Sequence, residues 1–147
     1  MMPLVPIPYQ KGGHTLYSLA KELAGTMRAI MQIETEIAEA TNNHYDEVVV
    51  RDLEQKRTDL IRACTRDELL VIKTVMKVGQ SERGYRHYFD SNDVEIIYLP
   101  VELNEHELMQ KYSYYLIHKT ERELVDSIEY YTAVSEQLRE GMEILKL

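Results

Sequence analysis

Glu36 and Glu39 stand three residues apart, and so do Glu123 and Asp126. On a helix that spacing puts both carboxylates of a pair on one face. Two such faces turned toward each other can hold a magnesium ion around a phosphate-bearing substrate. Magnesium is the one cofactor the sequence offers, and only to that arrangement; otherwise no cofactor is expected. Histidine offers less. His14, His44, His87, His106 and His118 include no H-E-x-x-H and no pair at helical ligand spacing. Arg83, Arg86 and His87 bring two cations and a base near one another, a set that can work on a scissile phosphate. A polar loop with its arginine stems laid along the surface accounts for the same three residues. Phosphate cradles and nucleophile elbows are missing. Cys64 is the sole cysteine, which excludes an intrachain disulfide and a cysteine-based metal site.

The tyrosines point elsewhere. There are 11 of them beside one Phe and no Trp. Tyr112, Tyr114, Tyr115, Tyr130 and Tyr131 crowd one stretch, and adjacent tyrosines cannot all face a single core. An aromatic body with a polar tip suits an interface. Tyr112, Tyr115, Tyr130 and Tyr131 are therefore interface candidates, with Ile30 as the apolar centre of a long helix.

The elements that must position these residues are mostly helical. From Thr15 to Ala40, Leu16, Leu23, Ile30 and Ile37 recur every seven residues, with Leu19, Ala20, Met27, Ile33 and Ala40 filling the neighbouring stripe. Such a helix would be roughly 40 Å long, enough to span a compact domain of this size. A second helix is predicted over Asp46–Cys64, with Val48, Val49, Leu53, Leu60 and Ile61 inward. Thr65 and Glu68 form a capping box, and the helix it starts is apolar almost all round to Val78, with Gly79 closing it. Asp90-Ser91-Asn92-Asp93 is a turn between two β-prone runs, predicting a short hairpin near residues 85–99. Asn104 with Glu107 caps a helix to about His118, and Thr120 with Glu123 caps one to the C-terminus. The expected fold is mainly α, a bundle of about five helices with that hairpin. Residues 1–13, with three prolines and Gly12-Gly13, read as an extended arm, and 14–147 as a single helical domain.

The net charge of −8 divides into −3 over residues 1–50, +2 over 51–90 and −7 over 91–147. That balance argues against a nucleic-acid partner, which needs clustered Lys and Arg. No apolar run reaches the roughly 20 residues of a membrane span. The first residues lack the basic start and apolar stretch of a signal peptide. With a lone thiol, the expected location is the cytoplasm.

Two resemblances bear on function. Glu123-Leu124-Val125-Asp126 looks similar to the E-x-x-D pairs of the all-helical nucleotide pyrophosphohydrolases, although there the pairs lie close in sequence and here more than 80 residues part them. Over residues 50–147 the chain resembles a bacterial family of small helical domains with no assigned function. The resemblance rests on Asp67-Glu68-Leu69-Leu70-Val71 through Met76 and Gly79, then on Tyr131 and Leu138-Arg139-Glu140-Gly141-Met142. It departs where that family tends to have G-R-G and a tryptophan; here stands Gly79-Gln80-Ser81-Glu82-Arg83-Gly84, and there is no Trp. It implies a helical fold and no activity. The expectation is thus a non-enzymatic binding or assembly protein working through protein–protein contacts, most simply with itself. The alternative is a magnesium-dependent nucleotide phosphohydrolase of all-helical type.

Overall fold

A computed structural model describes residues 15–43, 46–82, 103–129 and 134–147, and the backbone alone of 85–89 and 94–98. Among these lie seven helices: α1 (Leu16–Glu22), α2 (Ala24–Asn43), α3 (Glu47–Arg62), α4 (Arg66–Ser81), α5 (Glu105–Ser113), α6 (Glu121–Glu129) and α7 (Val134–Leu145). Between α4 and α5, β1 (Tyr85–Phe89) and β2 (Val94–Tyr98) pair antiparallel, Tyr85 opposite Tyr98 and Phe89 opposite Val94. The expected N-terminal arm over 1–13 lies outside the described residues.

The helix α4 is the centre. Leu69, Val71, Ile72, Val75, Met76 and Val78 are fully buried, and α7, α5, α6 and α1 all pack on it. A helix without a solvated face has no other place in a globule. Its start is the Thr65/Glu68 capping box. Gly79, however, does not close it. The helix runs on to Ser81, and Gly79 marks the crossing with α7, where the two backbones nearly touch. A Cβ on Gly79 would lie 2.1 Å from the Gln137 carbonyl oxygen, and one on Gly141 2.1 Å from that of Val75.

The helix count exceeds the expected five because both long helices are divided. The first is interrupted at Leu23 (φ −87°, ψ 0°), between α1 and α2. The buried stripe Leu16, Ala20, Leu23, Met27, Ile30 nonetheless continues through the break in steps of four and three. The helix after Thr120 ends at Glu129, and α7 begins at Val134. The helix expected to reach His118 stops at Ser113, its last carbonyls taken by turn hydrogen bonds such as Leu116 N–H to Ser113 O.

In α3 the inward residue of the valine run is Val50, 7% exposed, while Val48 and Val49 are 64% and 44% exposed. The stripe is Val50, Leu53, Arg57, Leu60 and Ile61, so the expected inward placing of Val48 and Val49 is corrected. An arginine holds a stripe position, and its partners on α2 and α6 fix the helix's rotation.

Beyond Glu34 and Arg57, α2 and α3 run past the body as a two-helix arm of about 14 Å, nine residues of α2 at 1.5 Å each. Between residues 35 and 56, Val50 is the one buried side chain among the described residues. No described helix is long and apolar enough to cross a membrane.

Candidate functional site

The four carboxylates proposed as magnesium ligands are placed differently from one another. Glu36 and Glu39 are exposed on the arm half of α2, and Glu123 and Asp126 are exposed on α6. Glu123 already has a task. Its Oε1 accepts the Thr120 N–H at 3.2 Å, and its own N–H donates to Thr120 Oγ1 at 3.1 Å, which closes the capping box of α6. The Thr120 backbone and hydroxyl bonds, followed by the charge of Lys119, hold its carboxyl below the usual range. Asp126 borders an open groove of about 590 Å³, lined also by Arg62, Glu121, Arg122 and Val125. Among the described residues, no three His, Cys, Asp or Glu side chains are grouped to hold a metal ion.

Ile30, named above as an interface centre, is fully buried inside the chain. The same holds for Leu124, Ile128, Leu138 and Leu145 of the other long stripe. Leu16, Ala20, Leu23, Met27 and Ile30 are thus covered within one molecule, whereas Ile33 and Ile37 further along the first stripe are only half-buried. Tyr130 and Tyr131 lie outside the described residues, as do the side chains of Arg83, Arg86 and His87.

Tyr112, Tyr114 and Tyr115 sit where α5 ends, and their roles divide. Tyr112 is half-buried, and its hydroxyl donates to Glu82 Oε1 at 2.6 Å. Burial first, then this bond and the Glu82 charge, push its phenol up. Lys111 lies 5.0 Å from the Tyr112 ring centroid and 3.4 Å from Glu82. Tyr114 and Tyr115 face outward, 37% and 69% exposed. Their rings meet edge to face at 5.4 Å, a favoured aromatic geometry.

The turn that carries the pair is pinned from α4. Arg66, at the first position of that helix, donates to the carbonyls of Ile117 and Lys119, the latter at 3.1 Å from Nη2. Tyr112–Glu82 ties the other side. Two exposed tyrosines are thereby held on a rigid base, and immobilising them on binding would cost little further entropy.

A second polar assembly joins five helices, α2, α3, α4, α6 and α7. Arg57 Nε meets Glu34 at 2.9 Å, and its other nitrogens donate to the carbonyls of Glu129 and Ile128 at 2.9 and 3.0 Å. Lys73 donates to the Ser127 carbonyl at 3.2 Å, and Arg62 forks onto the Glu129 carboxylate at 3.1 and 3.3 Å. Three cations thus close the C-terminal end of α6, where the helix dipole is negative. Glu34 Oε2 accepts the Ser135 N–H at 2.9 Å, near the start of α7. One ion pair therefore fixes where α6 stops and α7 starts. The signal in the sequence is an arginine at a stripe position, Val50–Leu53–Arg57–Leu60.

Burial and the neighbouring Lys77 lower the Lys73 ammonium to about 8. Burial, then Glu68, raises the Cys64 thiol, so this cysteine is poorly disposed to act as a thiolate nucleophile.

Compared with protein-family models, curated proteins and solved structures, the chain matches none.

Proposed function

We propose that the chain is a non-enzymatic binding or assembly protein acting through protein–protein contacts, a second copy of itself being the first partner. One observation carries the reading: the outward Tyr114–Tyr115 pair on a pinned turn, in a molecule whose apolar stripes are buried at Leu16, Ala20, Leu23, Met27, Ile30, Leu124, Ile128, Leu138 and Leu145. Large exposed aromatic side chains on a rigid base are costly to leave in water and effective as anchors. Tyrosine adds a hydroxyl that keeps the free surface hydrated. A twofold contact would set the turn of one copy against that of the other.

Light scattering over the micromolar range tests this. The wild type should show a dimer, and Tyr115→Lys should shift it to monomer while leaving the melting temperature unchanged. A monomeric wild type would remove the reading. A magnesium titration separates the phosphohydrolase alternative: a magnesium-dependent rise in melting temperature, lost in Asp126→Asn, would favour it.

A further inference from the structure

We infer that the α2–α3 arm is a second docking surface, whose occupant is a basic amphipathic helix of another protein. The arm is a two-helix hairpin with an incomplete core. Val50 is buried, but Ile37 and Leu53 on its seam are only half-buried, and Val48 and Val49 at its tip stand out in water. Among the described residues nothing requires two adjacent exposed valines at the start of α3; the N-cap there is Asp46, which accepts the Val48 N–H at 3.0 Å. Val48 and Val49 are β-branched, and such residues are poor choices for an exposed helical turn. The apolar face is therefore unexplained by the monomer.

Charge selects the occupant. Between residues 35 and 56 the arm carries Glu36, Glu39, Asp46, Glu47, Asp52 and Glu54, all exposed, against two cations, Arg51 and Lys56. Arg51 is itself paired with Glu47 at 3.0 Å. A second copy would bring the same acidic arm and a net charge of −8, so arm-to-arm pairing is repulsive. Nucleic acid and anionic lipid are repelled likewise. A helix with aliphatic side chains on one face and Lys or Arg flanking them matches both the valines and the acidic rim.

The size of the arm sets the strength. Two helices about 10 Å wide and about 14 Å long present on the order of 300 Å² per face, well below the roughly 800 Å² per partner of a stable complex. The contact should be weak, fast and sensitive to salt.

The test uses the full chain and a fluorescent helical peptide of leucine and lysine at heptad spacing, followed by anisotropy. Binding in the micromolar range is expected, weakening severalfold between about 50 and about 300 mM salt. A leucine–glutamate peptide of the same pattern should not bind. Val48→Ser with Val49→Ser should weaken the lysine peptide at least about tenfold, and their exposure lets the fold persist, which an unchanged melting temperature verifies. Failure of the lysine peptide to bind would overturn the inference. Equal binding to the valine variant would do so too, since charge alone would then explain it. Assembly of the chain with itself that is lost in the valine variant would give the arm to a second copy instead. The inference rests on the protein-binding reading only in naming a protein as occupant. A wild type that stays monomeric would sink the tyrosine contact and leave the peptide titration intact.

Discussion

Alanine at Gly141 would strike the crossing of α4 and α7 directly. The new Cβ would sit 2.1 Å from the Val75 carbonyl oxygen and 2.9 Å from Val75 Cγ1, where ordinary contact begins at 3.4 Å. Restoring that contact needs about 1.3 Å of added separation between α4 and α7. The first obstacle cannot rotate away, because it is helix backbone. Val71, Val75, Leu138 and Met142 are all buried on these two helices, so parting them loosens the whole seam. Overpacking of this kind costs about 1–3 kcal/mol and occasionally more. Alanine's better helix propensity returns about 1 kcal/mol. A forced backbone separation belongs at the upper end, so the net loss should be about 2 kcal/mol or more. Gly25 supplies the control. It is exposed on α2, with nothing within 4 Å of an added Cβ, so Gly25→Ala should gain about 0.4–1 kcal/mol. Urea denaturation midpoints read both changes. A Gly141→Ala midpoint equal to the wild type would mean that α4 and α7 do not approach so closely, and the reasoning would fail.

Three further outcomes follow from particular side chains. Met76→Ala, at a fully buried site on α4, should lower stability by about 2–5 kcal/mol in the same assay. Arg57→Met should cost about 3 kcal/mol by leaving Glu34 and two α6 carbonyls without their cation; hydrogen exchange should speed up first at the end of α6, and Arg57→Lys should not rescue it. Lys73 tests linkage. Its folded value near 8 lies below the ordinary 10.5, so between pH 8 and about 10 the unfolded chain binds more protons and stability rises with pH. Below pH 8 both states are charged and the burial penalty is complete. Lys73→Met should flatten that rise in pH-dependent thermal melts, and an equal slope in both proteins would show that Lys73 is not a strained cation.

What the sequence made legible was local. All three capping boxes, at Thr65, Asn104 and Thr120, form as their spacing predicts, because each needs only residues within one turn. The central place of α4 was also legible, since a helix lacking a polar face has one destination. The divisions of the two long helices were not. The end of α6 and the start of α7 depend on tertiary partners: Glu34 and Arg57 meet across 23 positions, and Glu34 reaches Ser135 across 101. The valine run shows the same limit. Val48, Val49 and Val50 are equivalent in composition, and helix phase alone cannot choose among them until Arg57 is locked onto α6. For the candidate site, Glu123 carries two readings, a metal ligand and a cap, and the structure shows the cap. Ile30 looked like an interface centre because a heptad stripe has the same form whether its partner is another chain or α7.

The central claim is that the tyrosine turn after α5 is a contact surface, and amide hydrogen exchange measured at low and high protein concentration tests it most directly. Protection over residues 114–118 should rise with concentration while residues 47–49 on the arm stay unchanged. Exchange at 114–118 that is independent of concentration would contradict the account.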